Sequence, residues 1–196
     1  MSKFEKALRL IDAAHADDPN LTTAADGSQT PYELHYANKM TKYLALRDPA
    51  ASETLQLAIR AQHLRRWEVP RSSYPMTKLG YFSWRAHLKN RQGELVEKMC
   101  LEAGYSAEEA ARVAALVRKE NLKQDAETQV LEDVACLVFL DDQFEEFERE
   151  KGYEEGKTIE ILRKTWAKMS PRGHELALGI EMSEKARGLV EKALAA

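Results

Sequence analysis

The chain has 196 residues, enough for one well-packed domain, and its formal charge at pH 7 is -3. A net charge this small gives no overall attraction to nucleic acid or to an anionic membrane. No segment approaches the length of a membrane span, and residues 1–6 lack the apolar core of a signal peptide, so we expect a cytoplasmic protein. Cys100 and Cys136 lack metal-ligand spacing and are expected to be reduced and buried.

Helical periodicity runs through the chain, and most of the predicted helices begin at recognisable capping residues. These start signals are Ser2 with Glu5, Thr30-Pro31 with Glu33, Asp48-Pro49, Ser106 with Glu109, Asp125, and Ser170-Pro171. The third helix is predicted to run from Asp48 to about Trp67, and a long fourth helix from about Thr77 to Ala103, with Gly104 as its C-cap. Residues 20–30 are predicted to form a polar loop.

No run of alternating polar and apolar residues predicts a strand. The sequence therefore predicts an all-α fold, a single-domain multi-helix bundle over residues 1–196. The core is expected at about residues 31–150, and a C-terminal helical pair at about 157–196.

Residues 134–140 are all apolar, which predicts a helix segment buried on every side. Glu132 and Asp133 stand directly before this run. Because a buried carboxylate is costly unless it is paired, hydrogen-bonded or bound to a metal, other parts of the chain should meet these two side chains.

One face of the predicted third helix starts with apolar residues, and polar residues continue the same face at helical spacing. Its members are Leu55, Ala58, Ile59, Gln62, His63, Arg66 and Trp67. Two interpretations stay open. Either the helix emerges into solvent, or the polar members line a site.

Charge is concentrated in two segments of opposite sign. Residues 60–91 hold eight basic residues and one acidic residue, a formal charge of +7, whereas residues 132–155 hold ten acidic and two basic residues, or -8. The two segments could neutralise each other, with Glu132 and Asp133 paired to Arg66, Arg71 or Arg85. A nucleic-acid surface is less favoured, because the basic residues alternate with core positions.

The alternative is an internal pocket for an anion, since guanidinium groups suit phosphate or carboxylate and aromatic faces suit a ring. In this interpretation His63 is the acid or base, and Glu132 and Asp133 orient it or act as bases themselves. The remaining candidates are ligand-binding: Arg66, Arg71 and Arg85 as clamps, Trp67, Tyr74 and Trp84 as walls, with Lys119 and Gln129 as further contacts. No metal ligand and no cofactor are predicted.

Two partial motifs resemble those of known enzyme families. Lys168-Met169-Ser170 resembles the lysine loop of class I aminoacyl-tRNA synthetases, but the nucleotide-binding strands that such enzymes need are not predicted. The order of His63 and a later Asp133 resembles the metal-dependent phosphohydrolase superfamily named for its His-Asp (HD) doublet. None of the five histidines is followed by Asp, so an HD-like helical core would have lost its metal and carry a cation-lined pocket instead.

Longer stretches carry a closer resemblance, to the helical family known as domain of unknown function 4202. They are residues 61–67, 69–75, 80–85, 129–140 and 164–170, and the resemblance covers nearly the whole chain. It implies an intracellular all-helical protein and transfers no activity.

The leading hypothesis is a hydrolase or lyase that acts on an anionic small molecule, phosphorylated or nucleotide-like. The alternative is a non-catalytic ligand-sensing or regulatory module that uses the same pocket. Neither nucleic acid nor membrane is an expected partner.

Overall fold

The structure is a computed structural model that describes residues 1–23 and 26–195, without the side chains of residues 150 and 151. It confirms the predicted all-α fold. In chain order the helices are α1 (Lys3–Ala16), α2 (Tyr32–Arg47), α3 (Glu53–Arg60), α4 (Lys78–Ala103), α5 (Ala107–Val117), α6 (Ala126–Val138), α7 (Phe144–Lys151), α8 (Glu155–Trp166), α9 (Pro171–Leu178) and α10 (Glu184–Leu194).

Several predicted helix ends are confirmed by their hydrogen bonds. The capping boxes at the starts of α1 and α5 are both complete. The side chain of Asp125 accepts hydrogen bonds from the backbone of Glu127 and Thr128 at the start of α6. The long α4 begins after Thr77 and ends at Gly104, whose φ of 103° is accessible to glycine at little cost.

Other predicted boundaries are wrong. The predicted loop at 20–30 contains two short antiparallel strands, β1 (Leu21–Thr23) and β2 (Gln29–Pro31), although residues 24 and 25 lie outside the described part. The third helix begins after Ser52 and ends at Arg60, well before Trp67. Three helices, α8, α9 and α10, replace the predicted C-terminal pair, because the predicted last helix is interrupted between α9 and α10.

The core forms around α6, as the apolar run predicted. This helix packs against α2 on one side and α9 on another, while α4 packs against α1 and α5. A π-helical turn, Phe139–Gln143, carries α6 into α7 and turns Asp141 and Asp142 toward α2, where they meet Lys39 and His35. The two acids of this turn therefore connect the end of α6 to α2.

Cys100 and Cys136 are both buried and unpaired, as expected. Burial raises the pKa of the Cys136 thiol to about 12 and that of Cys100 to about 11. Neither thiol is therefore ionised near neutral pH. Within the described residues, no helix combines the length and the apolar character needed to cross a membrane.

Truncation of a core side chain in α6 tests this packing. Leu137 is fully buried, so Leu137→Ala should lower the free energy of unfolding by about 3 kcal/mol, measured by urea denaturation. Leu101→Ala in α4 is the control, since Leu101 is 48% exposed and the change should cost under about 1 kcal/mol. Equal losses would contradict the burial of α6.

Candidate functional site

The segment after α3 is a strained loop instead of the predicted helix. His63 and Arg65 have φ angles of 64° and 50°, in the left-handed region that residues other than glycine seldom adopt. The chain therefore turns twice within three residues before a short 3-10 turn at Arg66–Glu68. Because α3 ends at Arg60, the predicted continuous helical stripe through His63, Arg66 and Trp67 is wrong.

A buried carboxylate from α2 holds this loop in place. Glu33 accepts hydrogen bonds from the backbone N–H of Arg65 (2.9 Å) and of Trp67 (3.1 Å). Its Oε2 also lies 3.3 Å from His15 Nδ1, and His15 Nε2 bonds the carbonyl of Arg60 at 2.8 Å. The predicted capping-box role of Glu33 is therefore wrong, and its side chain instead organises residues 60–67.

His63 is held between an aromatic ring and a guanidinium group. Its imidazole stacks on Tyr36, with ring centroids 4.0 Å apart and planes 12° apart. Arg66 Nη1 lies 2.8 Å from Nε2 of His63, and an arginine can only donate, so this nitrogen is the unprotonated one. Burial, and then the charges of Arg66 and Arg85, hold the pKa of His63 well below its usual range. The ring is therefore neutral at pH 7.

Arg66 is a largely enclosed cation without an anionic partner. Its guanidinium lies 4.9 Å from the ring centroid of Trp84, whose own Nε1 donates to the carbonyl of Val69. Burial and the nearby charge of Arg85 lower the pKa of Arg66. In the described part of the chain, no carboxylate lies within 4.0 Å of either arginine. A buried charge left in this state is costly.

Further cations extend the site from α4 to α6. Arg85 and Lys89 are one turn apart on α4, and neither has a hydrogen-bond or ion-pair partner among the described residues. Lys119, with a left-handed φ of 57°, pairs with Glu132 at 2.6 Å, and Lys168 lies 3.7 Å from the same carboxylate. Burial, then the charges of Lys119 and Arg85, lower the pKa of Lys89. We refer to Arg66, Arg85, Lys89, Lys119 and Lys168 as the cationic cluster.

Asp133 belongs to a different group of side chains. Fully buried, it accepts hydrogen bonds from Arg47 Nε (2.7 Å), the backbone N–H and hydroxyl of Ser170, and Gln129 Nε2 (3.0 Å). These donors join the end of α2, α6 and the start of α9. Both carboxylate oxygens are thus satisfied by groups outside the cationic cluster. The geometry gives Asp133 and Gln129 a structural role in holding three helices together.

The predicted partners of the two acids are wrong. Glu132 and Asp133 were expected to pair with Arg66, Arg71 or Arg85, but they meet Lys119, Lys168 and Arg47. Among the described side chains, no ion pair joins residues 60–91 to residues 132–155. The two charged segments therefore do not neutralise each other by direct pairing, which leaves the cationic cluster in need of another explanation.

Arg71 and Tyr74 lie at the edge of the site. The guanidinium of Arg71 donates to the carbonyls of Tyr74, Pro75 and Thr77, and it lies 6.0 Å from the ring of Trp84. These bonds hold the segment that leads into α4. Arg71 is thus already hydrogen-bonded to backbone, unlike Arg66.

Three residues of the site were missed by sequence reasoning: Tyr36, Lys89 and Lys168. Lys89 follows Arg85 by four residues on one helix, a spacing that could have identified it. Tyr36 follows Glu33 by three residues on α2, but nothing in the sequence indicates that α2 faces the loop at 61–69. Lys168 stands in the tripeptide that resembled a synthetase motif.

Arg66, Arg85, Lys89 and Lys119 are half-buried, and Lys168 is exposed. A hollow of about 430 Å³ lies elsewhere, beside α7 and the start of α10, and its lining includes Phe144, Glu148 and Lys185 but no member of the cluster. In residues 1–23 and 26–195, no three or more His, Cys, Asp or Glu side chains are grouped so that they could hold a metal ion. The site is therefore defined by an excess of positive charge, five cations with one contacting acid among the described residues, Glu132.

These features define an all-α bundle with a cation-rich, aromatic-walled site. The chain belongs to the family described as Domain of unknown function (DUF4202), which matches residues 5–190. No curated protein and no solved structure matches the chain. The predicted membership is confirmed over nearly the whole length, whereas the likeness to the HD superfamily stays a prediction.

The contacts of Asp133 predict a structural role. Asp133→Asn removes the charge that compensates the partly buried Arg47, so it should lower the free energy of unfolding by about 3 kcal/mol in urea denaturation. Glu175→Gln removes the acid from an exposed pair with Arg172 and should cost about 0.5 kcal/mol or less. A loss as small for Asp133→Asn would contradict the structural role.

The lowered pKa of His63 predicts a pH dependence. In the unfolded chain this imidazole titrates near 6.5, whereas in the folded chain it remains neutral to lower pH. The unfolded state therefore binds more protons in that interval, and His63 makes stability fall as the pH falls below 6.5. In His63→Asn, which keeps a residue that tolerates positive φ, the loss between pH 7.5 and 5.5 should be smaller by about 1 kcal/mol. Identical pH profiles of unfolding free energy would contradict the assignment.

Proposed function

We propose that the cationic cluster binds an anionic small molecule, phosphorylated or nucleotide-like. The observation that carries the proposal is the pair of Arg66 and Arg85, which lie close enough to lower the pKa of Arg66 and have no carboxylate partner among the described residues. An anion placed between them would compensate both charges. Guanidinium groups suit this role, because their planar N–H pattern matches phosphate and carboxylate oxygens.

Apart from Arg71, whose guanidinium donates to backbone carbonyls, the other half-buried arginines of the described chain are paired with carboxylates, so the exception at the cluster is informative. The pairs are Arg47 with Asp133, Arg60 with Asp12, Arg65 with Asp17 and Glu68, Arg91 with Glu68, Arg112 with Asp125 and Glu127, and Arg118 with Glu120. The protein has more acidic than basic residues. A shortage of acids therefore does not explain why Arg66 and Arg85 are left without one.

Backbone strain supports the same location. His63, Arg65, Lys119 and Asn121 are the described non-glycine residues with positive φ, and two of them belong to the site directly. Such conformations cost about 1–3 kcal/mol each and concentrate at functional sites. Aromatic faces from Tyr36 and Trp84 complete a lining that suits a ring as well as an anion.

His63 is the proposed proton-transfer residue. A neutral imidazole is a competent base, and its Nε2 is now occupied by Arg66. An anion that draws the Arg66 guanidinium toward itself would release Nε2 to accept a proton. Glu132 remains ionised, because Lys119 and Lys168 hold its pKa below the usual value against the opposing effect of burial. This arrangement supports a hydrolase or lyase that acts on the bound anion.

A non-catalytic ligand sensor is the second candidate. It is favoured by the same hydrogen bond, since an imidazole kept in contact with Arg66 could serve only to position the guanidinium. The resemblance to the HD superfamily does not distinguish enzyme from sensor, because it rests only on the order of His63 and the acids of α6 in the chain. Retention of the Arg66 contact in the bound state distinguishes sensor from enzyme.

Binding is tested by thermal shift with inorganic phosphate, pyrophosphate, ATP, glucose 6-phosphate and citrate. At a hundredfold excess over its Kd, a ligand should raise Tm by roughly 5 °C. Arg66→Gln should remove this rise. Arg187→Gln, which changes the same charge on the exposed face of α10, should keep it. If none of the probes stabilises the wild-type protein, the proposal is wrong.

Catalysis is tested by ³¹P NMR of the stabilising phosphorylated probe incubated with the protein, which detects hydrolase and lyase products alike. The wild type should convert the probe, and His63→Asn should lower the rate at least about a hundredfold while it retains the thermal shift. Binding without conversion in the wild type would reject the enzyme and support the sensor.

A further inference from the structure

The cations of the site form an extended series rather than a single clamp. At one end Arg66 contacts His63, and the charge of Arg85 acts on both of these residues. Lys89 follows Arg85 by one helical turn, about 6 Å along the axis of α4. At the other end Lys119 and Lys168 share Glu132.

The packing of α4 against α5 joins the two ends of the series, because a Cβ atom at Gly93, four residues after Lys89, would lie against the side chain of Arg118, which directly precedes Lys119. The pKa of Lys89 is lowered by burial, and then by the charges of Lys119, Arg85 and Lys168, so Lys89 lies within range of both ends. Glu132 acts on Lys89 in the opposite direction, and it is the carboxylate that contacts the cluster. Three lysines of the cluster, Lys89, Lys119 and Lys168, therefore act on one acid.

We propose, on the basis of the function proposed above, that the ligand carries two or more linked phosphate groups that extend along the cationic cluster. A single phosphate between Arg66 and Arg85 would leave Lys89 with repulsive neighbours. A chain of phosphates compensates these cations in turn, with its terminal group toward Lys119 and Lys168. The ligand class is thus a diphosphate or triphosphate, free or attached to a larger group at the aromatic end.

Glu132 has a defined place in this arrangement. Its carboxylate contacts both Lys119 and Lys168 and compensates their charges. An arriving phosphate competes with it for the same two cations. Removal of the Glu132 charge should therefore strengthen the binding of the longer anions, in contrast to the loss expected for a residue that contacts the ligand directly.

Isothermal titration calorimetry with inorganic phosphate, pyrophosphate and tripolyphosphate tests the proposal at low salt. The Kd should fall at least tenfold from phosphate to pyrophosphate and again at tripolyphosphate. Lys89→Gln should abolish most of the gain from the second phosphate and leave phosphate binding within about twofold. Lys98→Gln, an exposed lysine on the same helix, is the matched control and should bind all three like the wild type.

The Glu132→Gln variant should strengthen anion binding, in contrast to Lys89→Gln, which should weaken it. This variant should bind tripolyphosphate severalfold more tightly than the wild type, and circular dichroism before the titration establishes that it is folded. Weaker binding by a folded Glu132→Gln protein would overturn the arrangement at this end of the cluster.

The remaining outcomes separate the two proposals. Equal affinities for phosphate and tripolyphosphate would overturn the extended ligand and leave the anion site standing. Citrate binding as tight as tripolyphosphate would overturn the phosphate class. Equal losses in Lys89→Gln and Lys98→Gln would show diffuse attraction and overturn the extended site. No binding by any anion would overturn the proposed function itself.

Discussion

The buried carboxylate of Glu33 is the interaction on which the site depends. It accepts the N–H groups of Arg65 and Trp67 and lies against His15, so it replaces the hydrogen bonds that a continued α3 would have supplied. Without an acceptor at this point, the left-handed turns at His63 and Arg65 would leave buried donors unsatisfied, at about 1–3 kcal/mol each. The directions of His63 and Arg66 follow from this one contact.

Two charged residues of the interior, Asp133 and Arg66, have opposite environments. Asp133 is surrounded by donors that satisfy both oxygens, and this completeness indicates a structural role. Arg66, by contrast, has an imidazole and an aromatic face but no acid among the described residues. Such an incomplete environment is costly to the folded state, and the proposed anion site rests on it.

The five residues of the cationic cluster come from four separate parts of the chain. Arg66 comes from the loop after α3, Arg85 and Lys89 from α4, Lys119 from the turn after α5, and Lys168 from the turn before α9. Like charges one turn apart on a helix repel, as Arg85 and Lys89 do on α4, so a longer row of cations on one helix would be destabilising. The apolar core anchors the helices and turns that carry the five cations and so holds these cations close together. Glu132 relieves part of their repulsion.

By itself the sequence determined the all-α fold, several helix caps and the buried α6, and it predicted a site that includes His63, Arg66, Arg85, Lys119 and Glu132. These follow from local periodicity and from the cost of burying charge, which are properties of short stretches. Only the tertiary structure decided where α3 ends, that Asp133 pairs with Arg47, and that Tyr36 and Lys168 face His63 and Glu132. The physical reason is that these outcomes depend on hydrogen bonds between residues far apart in the chain. Glu33 accepts the N–H groups of Arg65 and Trp67, which lie more than thirty residues away in the chain and would otherwise have continued α3.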